Sequence, residues 1–286
     1  MSHSGLFVGL ITLDFIYGVE KYPDRNQKVV ATHYAATAGG PATNAAVTFA
    51  HLGNSAEIFG GVGSHPVTQL IWADLERWGV NVTDLDRDRG EPPPVSSITV
   101  TENTGDRAVV SINATQSQLS PDAISADIIE GIDIILIDGH QMALSREIVR
   151  FAEGKNIPVV VDGGSWKPGF ETVLPDIDYI ICSANFHPPD CQTETEVFEY
   201  LKNLGIPHIA ITHGGGAIGS HHRGVYNNIE VPPIAPVDTL GAGDIFHGAF
   251  CHFILQESWE EALGKAAEVA SDSCRYFGTR EWMESD

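Results

Sequence analysis

The chain has 286 residues, 43% of them hydrophobic, and 38 acidic residues against 16 basic ones give a formal charge of −22. That apolar content excludes a disordered chain, and the charge disfavours DNA, RNA and anionic membrane surfaces, which would repel it. An enzyme acting on small molecules fits best, and a small anionic ligand stays compatible because a local binding site outweighs a distant net field. The four cysteines, Cys182, Cys191, Cys251 and Cys274, show no CxxC spacing and read as reduced thiols of a cytoplasmic protein. The apolar start Leu6 to Leu13 lacks a positively charged lead and stops at Asp14, which argues against a signal peptide.

In chain order, Leu6 to Leu13 reads as one buried strand. Phe15 to Ala38 is strand-like, with a turn at Tyr22-Pro23-Asp24 and a β-rich piece from Lys28 to Tyr34. Pro41 to Leu52 is a helix closed by Gly53, since proline suits the first turn and glycine the position past the end. A short strand at Ala56 to Phe59 precedes a helix from Val67 to Trp78. The loop Gly60-Gly61-Val62-Gly63 lies between them and has a structural part only. After the linker Glu91-Pro92-Pro93-Pro94, strands Val95 to Val100 and Ala108 to Ile112 flank the turn Asn103-Thr104-Gly105-Asp106.

Strands and helices then alternate: strand Ile132 to Ile137, helix Ser145 to Lys155, strand Val159 to Val161, strand Tyr179 to Cys182, helix Thr193 to Leu204, strand Ile209 to Thr212, strand-like Ile218 to His221, and a final helix Trp259 to Phe277. This rhythm predicts an α/β fold, with a mostly parallel central sheet and helices on both faces. Two pieces break it, with polar and apolar residues alternating as in strands exposed on one face. The expected division is a body of residues 1–13, 36–91 and 114–286, and a small β-sheet lid of residues 14–35 and 92–113.

Asp238-Thr239-Leu240-Gly241-Ala242-Gly243-Asp244 leads into the apolar run Ile245 to Leu255, whose helical spacing starts a buried helix near Gly243. Glycines before a helix let its unpaired N–H donors and partial positive charge approach an anion. Asp244 falls in that first turn. A carboxylate beside an anion hole suits phosphoryl transfer to an alcohol, with the carboxylate taking the hydroxyl proton. A glycine turn with a capping Asp would look the same.

This segment resembles the DTxGAGD signature of the PfkB (ribokinase-like) family of carbohydrate and nucleoside kinases, and the resemblance spans nearly the whole chain. It implies a ribokinase-like fold and an ATP- and Mg2+-dependent kinase, with Asp244 as base and the backbone of 240–244, Gly241, Ala242 and Gly243 included, as anion hole. It also implies a lid that mediates dimerisation in many members. Gly39-Gly40-Pro41-Ala42-Thr43-Asn44 resembles the family's N-terminal signature, so Gly39, Gly40 and Asn44 are expected at the substrate, as is Asp14 just past the first strand. Lys28 and Asn113, on the two lid pieces, face the cleft if the lid forms as expected. Thr212-His213-Gly214-Gly215-Gly216-Ala217 resembles the ATP signature Thr-x-Gly-x-x-Gly. Thr212, Gly214, Gly215 and Ala217 (in the last glycine position), together with Thr239, are therefore expected around the nucleotide.

The family's Asn-x-x-Glu motif, which organises Mg2+, is not matched. Ser183 or Asn185 takes the Asn place, and three residues on stand Phe186 and Pro188, neither acidic. No metal ligand is assigned. Asp138 and Asp162 each end a predicted strand at the same sheet edge, where carboxylates can meet sugar hydroxyls. The histidines show no metal spacing, and His247, one turn past Asp244, reads as a packed helix residue. A sugar or sugar-like acceptor is the leading expectation. A nucleoside kinase of the same family and a non-catalytic sugar- or nucleotide-sensing protein on this fold stay open.

Overall fold

The computed structural model describes residues 2–102, 104–112 and 118–284. The first half contains β1 (Ser4–Val8), β2 (Thr12–Val19), β3 (His33–Gly39), α1 (Pro41–His51), β4 (Ser55–Gly60), α2 (Gln69–Arg77), β5 (Val80–Asp84), β6 (Val95–Thr101) and β7 (Arg107–Ser111). β8 (Ile134–Ile137), α3 (Met142–Ala152), β9 (Val159–Gly163), β10 (Tyr179–Ser183), α4 (Glu194–Asn203) and β11 (His208–His213) follow. The chain continues through β12 (Gly216–His222), β13 (Val225–Ile229), α5 (Ala242–Phe253) and α6 (Trp259–Ser273).

Among the described residues, nine strands form the central sheet in the order β13-β12-β11-β10-β9-β8-β1-β4-β5. From β11 to β5 all neighbours run parallel, and β12 and β13 add an antiparallel edge. Runs such as Ile134–Ile137 are apolar throughout because both faces of a parallel sheet are covered. Phe7, Leu136, Val160 and Ile181 point to α1, α2, α5 and α6 on one face. Leu6, Val8, Ile135, Ile137, Val161 and Cys182 point to α3 and α4 on the other. The chain builds outward from β1 to β4 and β5, then returns to β8 on the opposite side of β1. That reversal opens a crevice at the carboxyl ends of β1 and β8, the place where open α/β sheets bind ligands.

A separate four-stranded sheet has the order β3-β2-β6-β7. Ile16, Ile98 and Val100 form its small core, covered by Leu240 and Phe277 from the larger body. β7 is exposed along its whole length at the open edge.

Several expectations need correction. The apolar run Leu6 to Leu13 is not one strand: β1 ends at Val8 and β2 begins at Thr12, so the chain leaves one sheet for the other at Gly9. A Cβ there would lie 2.1 Å from the Asp138 carboxyl carbon, so only glycine passes that point. Lys28 is not on a strand. It lies on the exposed loop between β2 and β3, because pairing of β3 begins only where His33 meets Gly18. β5 and β13 are additional strands, and α6 stops at Ser273, short of Phe277. Asn113 lies outside the described residues.

Candidate active site

The helix α1 begins at Gly40, whose φ of 103° is open to glycine, and a Cβ there would stand 2.2 Å from the Leu10 carbonyl oxygen. This fixes the turn from the small sheet into α1 and brings Asn44 to its second turn. The helix α5 begins the same way at Gly241, with φ 71° and with Thr279 Cγ2 2.6 Å from an added Cβ. Asp238 braces that turn: its carboxylate accepts from Leu240 N and from Gly278 N, both at 2.9 Å. Ala242 N donates to Thr239 O at 3.3 Å, whereas the N–H groups of Gly241, Gly243 and Asp244 have no partner among the described residues. Those free donors at a helix start can receive an anion.

Asn44 and Asp244 meet although 200 residues separate them, with Asn44 Nδ2 donating to Asp244 Oδ2 at 2.8 Å. Burial and the negative charge of Asp162 push the Asp244 carboxyl up to about 7; the Asn44 hydrogen bond and His247 pull the other way, and Asp138 adds to the rise. A carboxylate whose conjugate acid is half-dissociated near neutral pH is well matched to general-base work.

The neighbouring carboxylates are held differently. Burial acts to raise Asp138, but the His140 imidazole and backbone donors outweigh it and leave the group at about 2. Leu10 N (2.9 Å) and Ala42 N (3.2 Å) both donate to its Oδ2. Asp138 thus ties the end of β1 to the start of α1. Asp14, at the start of β2, accepts from Thr12 Oγ1 at 2.8 Å. Burial raises its pKa, with Thr12, Ser96 and Arg280 acting against the rise. Gly39 leaves room beside it, since an added Cβ would stand 2.0 Å from Asp14 Oδ2. His247 is buried, with Nδ1 2.7 Å from Gly243 O and Nε2 3.2 Å from Ile181 O, and it faces Asp162 Oδ2 at 3.6 Å.

Beside Asp244 lies a cavity of 440 Å3, lined by Thr212, Gly214, Gly215, Thr239, Ala242 and Gly243 at one end. Mostly apolar residues, among them Ile218, Val231, Pro233 and Ala267, line the rest, with His247 and Ser271 between them. Its size and apolar walls suit a purine base, and the open N–H groups of α5 suit its phosphates. Ala217 stands on β12 outside this lining, with its carbonyl oxygen 2.9 Å from His213 Nδ1. Arg107 of the small sheet reaches the same turn, donating to Thr239 O at 3.1 Å.

Among the described residues no three His, Cys, Asp or Glu side chains gather into a metal cage. At the two positions after β10 where the Asn-x-x-Glu motif would place an acid, Phe186 is fully buried against Trp166 and Phe170, and Pro188 is buried as well. Phosphate oxygens of a bound nucleotide and water would then supply most of the ligands of Mg2+, the way this ion commonly binds.

Sequence reasoning missed Arg280, Thr279 and Asp74. Arg280 is 7% exposed, yet its guanidinium bonds to Asn44, Asp74, Ala38 and Thr279. No local motif marks it; an isolated Arg between Thr279 and Glu281 reads as surface.

The profile of the pfkB family carbohydrate kinases matches residues 3–286. Ribokinase of Bacillus subtilis is 25% identical over 282 residues, which covers 96% of this chain and 94% of that protein. The structure of Arabidopsis thaliana ribokinase complexed with ribose and ATP superposes over 100% of both chains with a TM-score of 0.74 at 18% identity. A candidate ribokinase II of Escherichia coli, in complex with ATP and Mg2+, superposes over 99% of this chain and 96% of that one, with a TM-score of 0.80 at 18% identity. With the fold, the two glycine-led helix starts and the match along almost its entire length in agreement, the chain belongs to the pfkB family of carbohydrate kinases.

Proposed function

We propose that the protein transfers the γ-phosphoryl group of ATP, bound with Mg2+, to a hydroxyl of a sugar or sugar-like molecule. The observation that carries this reading is Asp244: a carboxyl raised to about 7, in the first turn of a helix with free N–H donors, beside a cavity of nucleotide size. Asp244 takes the acceptor's hydroxyl proton as that oxygen bonds to the γ-phosphorus. The bond to the bridging oxygen breaks and ADP leaves. Free N–H groups of Gly241, Gly243 and Asp244 stabilise charge on the phosphoryl oxygens in flight.

ATP lies along Thr212, Gly214, Gly215 and Thr239, with Ala217 behind the loop. The acceptor lies near Asp14, Gly39, Gly40 and Asn44, under the small sheet as a lid. Closure of that lid excludes water and limits wasteful hydrolysis. We further propose a homodimer through the lid, supported by apolar side chains at its open edge: Val109, Val110 and Ile112 are 50%, 76% and 67% exposed. Four free cysteines accord with a reducing cytoplasmic setting.

The test is ADP release from MgATP with a panel of ribose, 2-deoxyribose, fructose and nucleosides. Turnover with a sugar and not with nucleosides is expected. Preference for a nucleoside would replace the acceptor class, and nucleotide binding without turnover on any acceptor would favour a sensing role.

A further inference from the structure

A buried guanidinium needs a partner for nearly every donor, and its partners are then fixed by it. Arg280 stands just past α6, and Asp74 on α2 anchors it from behind. Asp74 Oδ2 accepts from Arg280 Nη2 at 3.1 Å and Nε at 3.3 Å, and also from Ala38 N at 2.9 Å. Nη2 donates in addition to Ala38 O at 2.8 Å. Nη1 donates to Asn44 Oδ1 at 2.9 Å and to Thr279 Oγ1 at 3.1 Å.

Arginine has donors only, so the Asn44 atom facing it must be the carbonyl oxygen. The amide is rigid and planar, so its Nδ2 must then face the other way, and there it meets Asp244 Oδ2. A free Asn44 would have two orientations. With Nδ2 toward Asp244 the ionised carboxylate is stabilised; with Oδ1 toward it, only the protonated acid could bond. Arg280 removes the second choice.

We propose that Arg280, anchored by Asp74, is a positioning residue for phosphoryl transfer, locking the Asn44 amide with its donor toward Asp244 so that the base is ionised and aimed. The proposal rests on the reading of Asp244 as base. The charged groups acting on that carboxyl are Asp162 and Asp138, which oppose ionisation, and His247, which favours it along with Asn44. Arg280 faces Asp14, and its hydrogen-bonded path to Asp244 runs through the Asn44 amide.

The test is a carbon-13 carboxyl NMR titration of the full-length protein, with the Asp244 signal assigned by its loss in Asp244→Asn. Asn44→Ala and Arg280→Met should each raise the Asp244 midpoint by about half a unit to one unit, the scale of one lost hydrogen bond to the charged form. The double variant should rise no further than either single one. At pH 7 the Arg280→Met turnover of ribose with MgATP, or of the acceptor the panel identifies, should drop by about two- to fivefold. It should recover by pH 9, with the KM for ATP unchanged, a pattern that follows from the shifted ionisation. An unmoved midpoint in folded Arg280→Met, or shifts that add in the double variant, overturns the proposal. Should Arg280→Met unfold because Asp74 is left unpaired, Asp74→Leu with Arg280→Met removes both charges and must show the same midpoint shift. The titration needs no turnover, so a protein inactive on every acceptor would sink the kinase reading while leaving the Arg280 result readable.

Discussion

Asp244→Asn should lower turnover by roughly 10²–10⁴-fold, the usual contribution of a general base, without unfolding the protein. In the parent, turnover should rise with pH through a midpoint near 7, because the base must be ionised to act. The same shift has a cost in stability. The folded pKa of Asp244 stands above the free value of 3.8, so its contribution to folding is fully present below that value and is lost as pH rises through 7. Asp244→Asn should therefore withstand more denaturant than the parent at pH 8; equal midpoints there, or near-normal turnover at pH 7, would remove Asp244 from this part. Asp244, Gly40 and Asn44 were legible in the sequence because each sits in a short run whose spacing has a local meaning. Arg280 and Asp74 were not, because Arg280 lies 236 residues from Asn44 and 206 from Asp74 along the chain and nothing beside either announces burial.

The helices that carry the site pack on one another without space to spare. Gly248 on α5 faces α1, where an added Cβ would lie 2.3 Å from Ala45 O and 2.7 Å from Thr48 Cβ. Gly248→Ala should destabilise the fold by about 1–3 kcal/mol, as overpacking does, and should also reduce kcat by moving Asn44 away from Asp244. Gly264 on α6 is the control, since its Cβ would touch only Ile229 at 3.9 Å. Gly264→Ala should stabilise by about 0.4–1 kcal/mol through the unfolded chain. Chemical denaturation of the two variants decides between them. At this scale the buried parallel strands were readable as short apolar runs, and α4 and α6 begin at the capping boxes Thr193/Glu196 and Ser258/Glu261. β5 and β13 were not. Val80–Asp84 and Val225–Ile229 are five residues each and carry adjacent polar pairs (Thr83-Asp84 and Asn227-Asn228), and it is their pairing with β4 and β12 that makes them strands.

For the whole molecule, the proposed dimer is a matter of the small four-stranded sheet. One face is covered within the chain by Leu240 and Phe277, which would suffice for a monomer, while the β7 edge stays bare. Sedimentation at micromolar concentration should give a dimer mass that Val110→Glu reduces to a monomer, since a charge on an edge strand blocks pairing. A parent that sediments as a clean monomer ends the dimer proposal. The bond between Arg280 and Asn44 has a consequence during synthesis. At about 5–20 residues per second, Arg280 leaves the ribosome roughly 10–50 s after Asn44. Asp244 follows Asn44 by 200 residues and so appears before Arg280, and until both emerge the alanine-rich helix α1 holds a polar amide without its buried partners. Nascent chains therefore pass through a period in which the first half of the sheet can form while Asn44 still lacks both Asp244 and Arg280.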